Sequence, residues 1–343
     1  MAACSRADGP GRDTAMHQPP EIPCYIIAGP LGVGKTSAVL HHLRTHASQQ
    51  RVGVLVNDFG PVGLDGATLR SEAPETRVLN VSGGCICCTL LSELPKKIQQ
   101  LLSEQALDRL IIEPSGMATP TQVIGLLRAS QRELNIRLHP CLVMLSAVDF
   151  DEETFERMPY YRMFCEAADV LVFNRCDQAS AAKVERARRW AERLDPPKLR
   201  VVTTSHGQLP EELFRLPEAG PEPTTSHPDP DHGHDPSMRP GGCVLDAGRT
   251  FDEQALRVNL MRICCQGVAG NAVLRFKGMF QTHAGWRAFE IANRAVSHRP
   301  SAHRGDSRME WVTQPAAVDG AQMLAELNRP LDRSEVAEAL QQD

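Results

Sequence analysis

The chain has 343 residues, 42% hydrophobic and 23% charged, as in an ordinary globular protein with room for two domains. Its net charge of −5 excludes a general binder of nucleic acid or of anionic membranes, since such proteins carry a basic excess. No stretch approaches the roughly 18 apolar residues of a membrane-spanning helix. We therefore expect neither nucleic acid nor a membrane as a partner.

Residues 1–20 lack the apolar segment of a secretory signal and predict a disordered tail, in which Met16 is a second candidate start. The next residues predict a strand, a glycine-rich loop and a helix over 36–47. The loop fits the P-loop pattern with Gly29, Pro30, Leu31, Gly32, Val33, Gly34, Lys35 and Thr36.

Each part of a P-loop has a chemical task. The glycines let backbone N–H groups close around phosphate oxygens, and the helix N-terminus adds its own N–H groups. Lys35 is expected to reach the β- and γ-phosphates and to act in catalysis, while the Thr36 hydroxyl binds Mg²⁺. The predicted nucleotide-binding residues here are Gly29, Gly32, Gly34, Lys35, Thr36 and Ser37.

Three thiols lie within four residues, on a turn opened by two glycines at 83–84. Cys85, Cys87 and Cys88 can converge on one soft cation, either Zn²⁺ or Cu(I). An extended segment would pair Cys85 with Cys87, whereas a turn would pair Cys85 with Cys88, and the sequence does not decide between them. A redox role for Cys85 and Cys88, or plain packing, is the alternative to metal binding.

An apolar strand over 110–112 ends in Glu113, and Gly116 follows three residues later. P-loop proteins place an acidic residue at this point to hold the Mg²⁺ shell, so we assign Glu113 to Mg²⁺ and to catalysis. The Gly116 N–H is expected to contact the γ-phosphate.

A later strand ends in Asn174, Arg175, Cys176 and Asp177. The Asp177 carboxylate can accept from both the N1–H and the N2–H of guanine, which adenine does not offer, so the pattern favours GTP. Arg175 stands where GTPases usually have Lys, and its planar head can stack on the base in a similar way. The alternative is that Asn174 and Asp177 only cap the next helix.

The order of elements indicates a two-domain α/β protein. Strands are predicted over 26–28, 52–56, 110–112, 141–145, 170–173 and 201–203, with helices such as 90–104 and 179–194 between them. Apolar strands separated by helices indicate a mostly parallel sheet covered on both faces, here a P-loop GTPase domain over 21–216. A Pro- and His-rich linker over 217–242 and a smaller α+β domain over 243–343 complete the prediction.

Taken in order, the P-loop, 57–60, the thiol motif, Glu-x-x-Gly and Asn-x-x-Asp resemble the CobW-like GTPases, close to the zinc-binding YeiR-type members. The strand over 274–280 resembles that family's Arg-x-Lys-Gly strand. The resemblance covers about 21–340 and implies a zinc metallochaperone that hydrolyses GTP and delivers zinc to client proteins. It also implies that Asp58 joins the three cysteines as a zinc ligand or orients the attacking water.

The chain departs from the family pattern at three places. Asp58 is one methylene shorter than the usual Glu, Pro61 removes a carboxylate, and Arg175 replaces Lys. The linker residues His227, His232 and His234 could capture metal or could be solvated loop.

An odd number of cysteines beside a nucleotide loop predicts reduced thiols and a cytoplasmic protein. A homo-oligomer is compatible with the sequence. The alternatives to a zinc-delivering GTPase are a P-loop ATPase or small-molecule kinase with structural cysteines, and a passive metal store.

Overall fold

The computed structural model describes residues 21–46, 50–58, 62–74, 76–82, 89–104, 106–116, 118–217, 237–246, 248–292 and 295–331. Its first unit contains the strands β1 (Ile22–Ala28), β2 (Val52–Asp58), β3 (Arg77–Ser82), β4 (Arg109–Glu113), β5 (Ile136–Leu138), β6 (Leu142–Ser146), β7 (Val170–Asn174) and β8 (Arg200–Thr203). Its helices are α1 (Lys35–His46), α2 (Leu64–Glu72), α3 (Thr89–Glu104), α4 (Pro120–Leu134), α5 (Glu152–Arg157), α6 (Pro159–Ala167) and α7 (Ala181–Ala191).

These strands form one parallel sheet in the order β3-β2-β4-β1-β6-β7-β8, with β5 pairing on β1. Successive residues of β1 face opposite sides of the sheet, as a strand requires. Ile26 joins the cluster that contains Leu94 and Val123 of α3 and α4, whereas Ile27 joins Val39 of α1. Both faces are therefore covered, which is why the strands are apolar throughout, and the predicted α/β fold is confirmed.

The second unit is an antiparallel sheet in the order β12-β11-β10-β13-β9, packed against two helices. Its elements are β9 (Arg239–Val244), α8 (Glu253–Gln266), β10 (Ala272–Thr282), β11 (Gly285–Ala292), β12 (Ala295–Pro300), β13 (Arg308–Gln314) and α9 (Gly320–Leu327). Phe276, Phe280 and Trp311 of the sheet meet Leu260 of α8 and Met323 of α9 in its core. The final helix predicted over 334–341 lies outside the described residues.

Strand β9 begins at Arg239, inside the segment that the sequence assigns to the linker. Its composition, with a proline and two glycines, is that of a loop rather than a strand. The reason for glycine is packing, because a Cβ at Gly241 would lie 2.2 Å from Nε1 of Trp311. Strand β9 pairs with β13 over Arg239–Val244, so 239–242 belong to the second sheet.

The second sheet holds the chain segment that follows β2. Glu310 of β13 accepts hydrogen bonds from the backbone N–H groups of Val62, at 2.7 Å, and of Gly63, at 2.5 Å. Lys277 of β10 pairs with Asp65 in the first turn of α2. These contacts place the second unit beside the carboxyl ends of the parallel strands. Among the helices described, none combines the length and apolar character needed to cross a membrane.

Candidate nucleotide site

The predicted site residues lie at one edge of the parallel sheet, where its strands end. The P-loop follows β1, Glu113 ends β4 and Asn174 ends β7. Because parallel strands bring their carboxyl ends to the same edge, motifs far apart in sequence meet there, as in other open α/β sheets.

Lys35 is the buried cation at the start of α1, with only 6% of its surface exposed. Its Nζ donates to the backbone oxygens of Gly29 and Pro30, at 2.8 Å each, so the side chain folds back over its own loop. Burial lowers the pKa of Lys35, while the carboxylate of Glu113 opposes that shift. An anion entering the loop would compensate this buried charge better than two carbonyl groups do.

Thr36 and Glu113 are brought together across 77 residues of sequence. The Thr36 Oγ1 donates to Glu113 Oε1 at 2.8 Å. The other carboxylate oxygen, Oε2, is buried and has no hydrogen-bond partner among the described residues. Burial raises the pKa of Glu113, and the charge of Asp65 raises it further. A hydroxyl and a carboxylate oxygen with spare acceptor capacity fit Mg²⁺, which prefers oxygen ligands.

Two glycines of the site have no room for a side chain. Gly34 has φ = 96°, and a Cβ there would lie 2.5 Å from Nδ2 of Asn174. A Cβ at Gly116 would lie 2.7 Å from the backbone nitrogen of Leu31. The Glu-x-x-Gly turn therefore rests directly on the P-loop, which supports a γ-phosphate contact by Gly116. Gly29 and Gly32 also have positive φ, at 145° and 76°.

Asn174 connects the phosphate loop to the loop that follows β8. Its Nδ2 donates to the Val33 oxygen at 2.9 Å, and its Oδ1 accepts from the Gly207 nitrogen at 3.1 Å. Both bonds are buried. Asn174 therefore has a structural role that helix capping alone would not give it.

Asp177 is exposed beside this connection, in the short 3₁₀ helix Cys176–Gln178. Its backbone N–H donates to Ser205 Oγ at 3.1 Å, which places the carboxylate at the loop after β8. Arg175 has φ = 62°, and its guanidinium donates to Gln178 Oε1 at 2.9 and 3.1 Å. The structure brings Asn174 and Asp177 to one corner, and guanine selectivity stays a prediction.

Several predicted residues fall where the structure gives no side chain. Cys85, Cys87 and Cys88 lie outside the described residues, as do the linker histidines. Asp58 is placed by its backbone alone, as the last residue of β2 and the register partner of Ser82 in β3. Ser37 is described and exposed, one residue beyond Thr36.

The second unit contributes residues that sequence motifs did not assign to the site. A cavity of about 280 Å³ lies between the start of α1 and the second sheet, lined by Thr36, Ser37, Asp65, Lys277, His298 and Arg299 among others. Lys277 lies in the Arg-x-Lys-Gly strand, so the family resemblance was the signal that could have found it. His298 and Arg299 carry no comparable signal.

A second cluster of polar groups lies on the far end of α1. His42, His46 and Glu211 each offer a ligand atom within 4.8 Å of the others, the arrangement of a metal site. However, Arg109 donates to His42 Nε2 at 2.7 Å and to Glu211 Oε1 at 3.3 Å. Because the guanidinium takes the lone pair of His42 and neutralises Glu211, the cluster fits a buried ion pair better than a metal ion.

His42 makes the stability of the fold depend on pH. Burial, and then the charge of Arg109, lowers its pKa from 6.5 to about 3. The unfolded chain binds this proton first, so stability is complete above pH 6.5 and is lost as the pH falls towards 3. We expect His42 to account for a loss of about 2 kcal/mol between pH 6.5 and 5.

Urea unfolding of the wild type and of His42→Gln at several pH values measures this contribution. The profile of the variant should be flatter below pH 6.5, and His41→Gln, one residue away, should retain the wild-type slope. Equal slopes for the wild type and His42→Gln would contradict the assignment.

Comparison with known proteins gives two curated relatives and one solved structure that bear on this geometry. The zinc chaperone YeiR of Escherichia coli (strain K12) is 32% identical over 192 residues, and the zinc chaperone CobW of Pseudomonas aeruginosa is 26% identical over 219. The matches cover 56% and 55% of this chain and 58% of each relative, so the chain spans little more than half the length of either.

The crystal structure of Zn(II)-bound YjiA GTPase from E. coli aligns over 95% of this chain and 99% of that chain, with 18% identity and a TM-score of 0.38. The profile of the CobW/HypB/UreG nucleotide-binding domain matches residues 23–202, which is more than half of the sequence. This match contains the P-loop, Glu113 and Asn174 at the ends of their strands, and the chain therefore belongs to the CobW/HypB/UreG family.

Proposed function

We propose that the protein is a zinc-binding GTPase that hydrolyses GTP to GDP and phosphate and delivers Zn²⁺ to zinc-dependent client proteins. The family membership and the relatives named zinc chaperones support this class of function. The observation that carries the proposal is the order of strand ends at the edge of the parallel sheet.

That order places the metal motif beside the nucleotide site. Reading β3, β2, β4 and β1 across the sheet, the edge carries the start of the thiol motif, Asp58, Glu113 and the P-loop in turn. Adjacent strands are roughly 4.8 Å apart, so the segment after β3 begins roughly 14 Å from the P-loop. Asp58, opposite Ser82, stands between the two sites.

Asp58 therefore links metal binding to nucleotide hydrolysis in this proposal. One carboxylate does not easily serve a zinc ion and an attacking water at the same time. Zinc bound by Cys85, Cys87 and Cys88 would change the position of Asp58 and so the rate of hydrolysis, and GTP would in return change the affinity for zinc.

The nucleotide residues have separate tasks. Lys35 neutralises the β- and γ-phosphates, Gly116 donates its N–H to the γ-phosphate, and Asp177 selects guanine. Thr36 and Glu113 would hold Mg²⁺, which when bound offsets charge on the phosphate oxygens.

A zinc-binding experiment tests the proposal. Zinc stoichiometry and affinity are measured by competition with a chelating dye, with GTP, with GDP and without nucleotide. The wild type should bind one Zn²⁺ per chain, and the double variant Cys87→Ser, Cys88→Ser should lose this binding. The matched control is Cys264→Ser, Cys265→Ser, which removes an adjacent pair of free thiols at the end of α8 and should bind zinc normally.

Unchanged zinc affinity in the first double variant would show that the thiol motif is not the metal site. Equal zinc affinity with GTP, GDP and no nucleotide would remove the coupling through Asp58. Binding of ATP as tight as that of GTP would favour the ATPase or kinase alternative, and failure to transfer zinc to any client would favour a metal store.

A further inference from the structure

Tyr160, in the first turn of α6, joins two parts of the nucleotide site that no motif connects to it. Its hydroxyl donates to the backbone oxygen of Gly116 at 2.7 Å. The same oxygen accepts a hydrogen bond from the backbone N–H of Leu31, in the P-loop, at 3.2 Å. These contacts span 44 and 129 residues of sequence, so the bridge forms only in the folded protein.

The ring of Tyr160 is held firmly by its neighbours. It packs edge-on against Phe164, with ring centroids 5.3 Å apart, and against Tyr161 at 5.6 Å. It also contacts the small apolar cluster of Leu31 and Ala118. A ring fixed on these sides holds its hydroxyl in one place, which is what a positioning group needs.

The bridge lies where the γ-phosphate of a bound nucleotide is expected. Gly116 packs so closely on the P-loop that a Cβ would lie 2.7 Å from the Leu31 nitrogen. With the carbonyl of Gly116 held by Tyr160, the direction of the Gly116 peptide, and of the N–H on its other side, is restricted. GDP has no γ-phosphate and does not use that N–H.

We propose that Tyr160 is a positioning residue that sets Gly116 and the P-loop for the γ-phosphate, and so favours GTP over GDP and supports hydrolysis. This inference rests on the proposed GTPase function. It assigns Tyr160 no contact with the reacting atoms, and its effect passes through Gly116.

Tyr160→Phe removes the hydroxyl and retains the ring, and Tyr161→Phe makes the same change one residue further along the helix. Tyr161 stacks on Phe155, at a centroid distance of 4.1 Å, away from the P-loop. Affinities for GDP and for a non-hydrolysable GTP analogue are measured by calorimetry, and kcat by phosphate release. Circular dichroism verifies that both variants are folded.

For Tyr160→Phe we expect the affinity for the GTP analogue and kcat each to fall roughly five- to tenfold, as for the loss of one hydrogen bond. GDP affinity should stay within twofold, and Tyr161→Phe should match the wild type. A parallel loss of GDP affinity would show a merely structural role and overturn the proposal, as would unchanged kcat and unchanged GTP discrimination.

The two proposals can fail separately. A wild type that binds guanine nucleotides without hydrolysing GTP would contradict the GTPase function, yet the ratio of analogue to GDP affinity would still decide the role of Tyr160. A wild type that binds neither nucleotide would overturn both.

Discussion

Replacing Lys35 with alanine is expected to reduce GTP hydrolysis roughly a hundred- to a thousandfold without unfolding the chain. Lys35 is a buried cation that contacts only backbone oxygens of its own loop in the hydrogen bonds described, at Gly29 and Pro30. Its charge is thus available for phosphate oxygens and is not part of the support of the sheet. Removing it takes away stabilisation that grows as charge moves onto the phosphates during hydrolysis.

Lys198→Ala is the matched control for this variant. Lys198 is also partly buried and has its pKa lowered by burial, but it lies before β8, at the opposite edge of the sheet. Its variant should hydrolyse GTP at the wild-type rate, as measured by phosphate release under saturating GTP. A folded Lys35→Ala protein that retains a third or more of the wild-type rate would show that the loop is not a working P-loop.

Replacing Asn174 with alanine is expected to destabilise the fold by about 2 kcal/mol or more and to weaken both GTP and GDP. Asn174 is buried and satisfies the Val33 oxygen and the Gly207 nitrogen at the same time. Its loss leaves two buried backbone groups unpaired and disconnects the phosphate loop from the loop after β8. Urea unfolding and nucleotide calorimetry measure the two effects.

Asp177→Asn, three residues away, separates selectivity from stability. Asp177 is exposed, so the change should leave the unfolding midpoint unaltered while shifting preference from guanine towards xanthine nucleotides. The connecting role of Asn174 is contradicted if Asn174→Ala unfolds at the wild-type midpoint. The guanine role of Asp177 is contradicted if its variant keeps the wild-type preference.

Residues placed by a strand end could be predicted from the sequence, because the strand itself is a strong local signal. Lys35, Glu113 and Asn174 each follow an apolar run, and parallel packing brings such positions to one edge. Tyr160 and Glu310 carry no such signal. Each acts on a partner more than 40 residues away, and a tyrosine in a helix or a glutamate in a strand is ordinary in sequence.

Strand β9 shows a different limit. Gly241 is in a strand because the indole of Trp311 occupies the place of its side chain, 70 residues further on. Local preference predicts a loop there, and tertiary packing decides otherwise. Short strands such as β5 escape prediction for a related reason, since three residues are too few to show a period.

The contact of Glu310 with Val62 and Gly63 limits what a shortened protein can reveal. A nucleotide domain expressed without the second sheet would lose the acceptor of two backbone N–H groups just beyond Asp58. Those groups would turn to water, and the segment after β2 would gain conformational freedom. Rates and affinities of such a fragment would describe a different switch region, so the intact chain is the proper subject for kinetics.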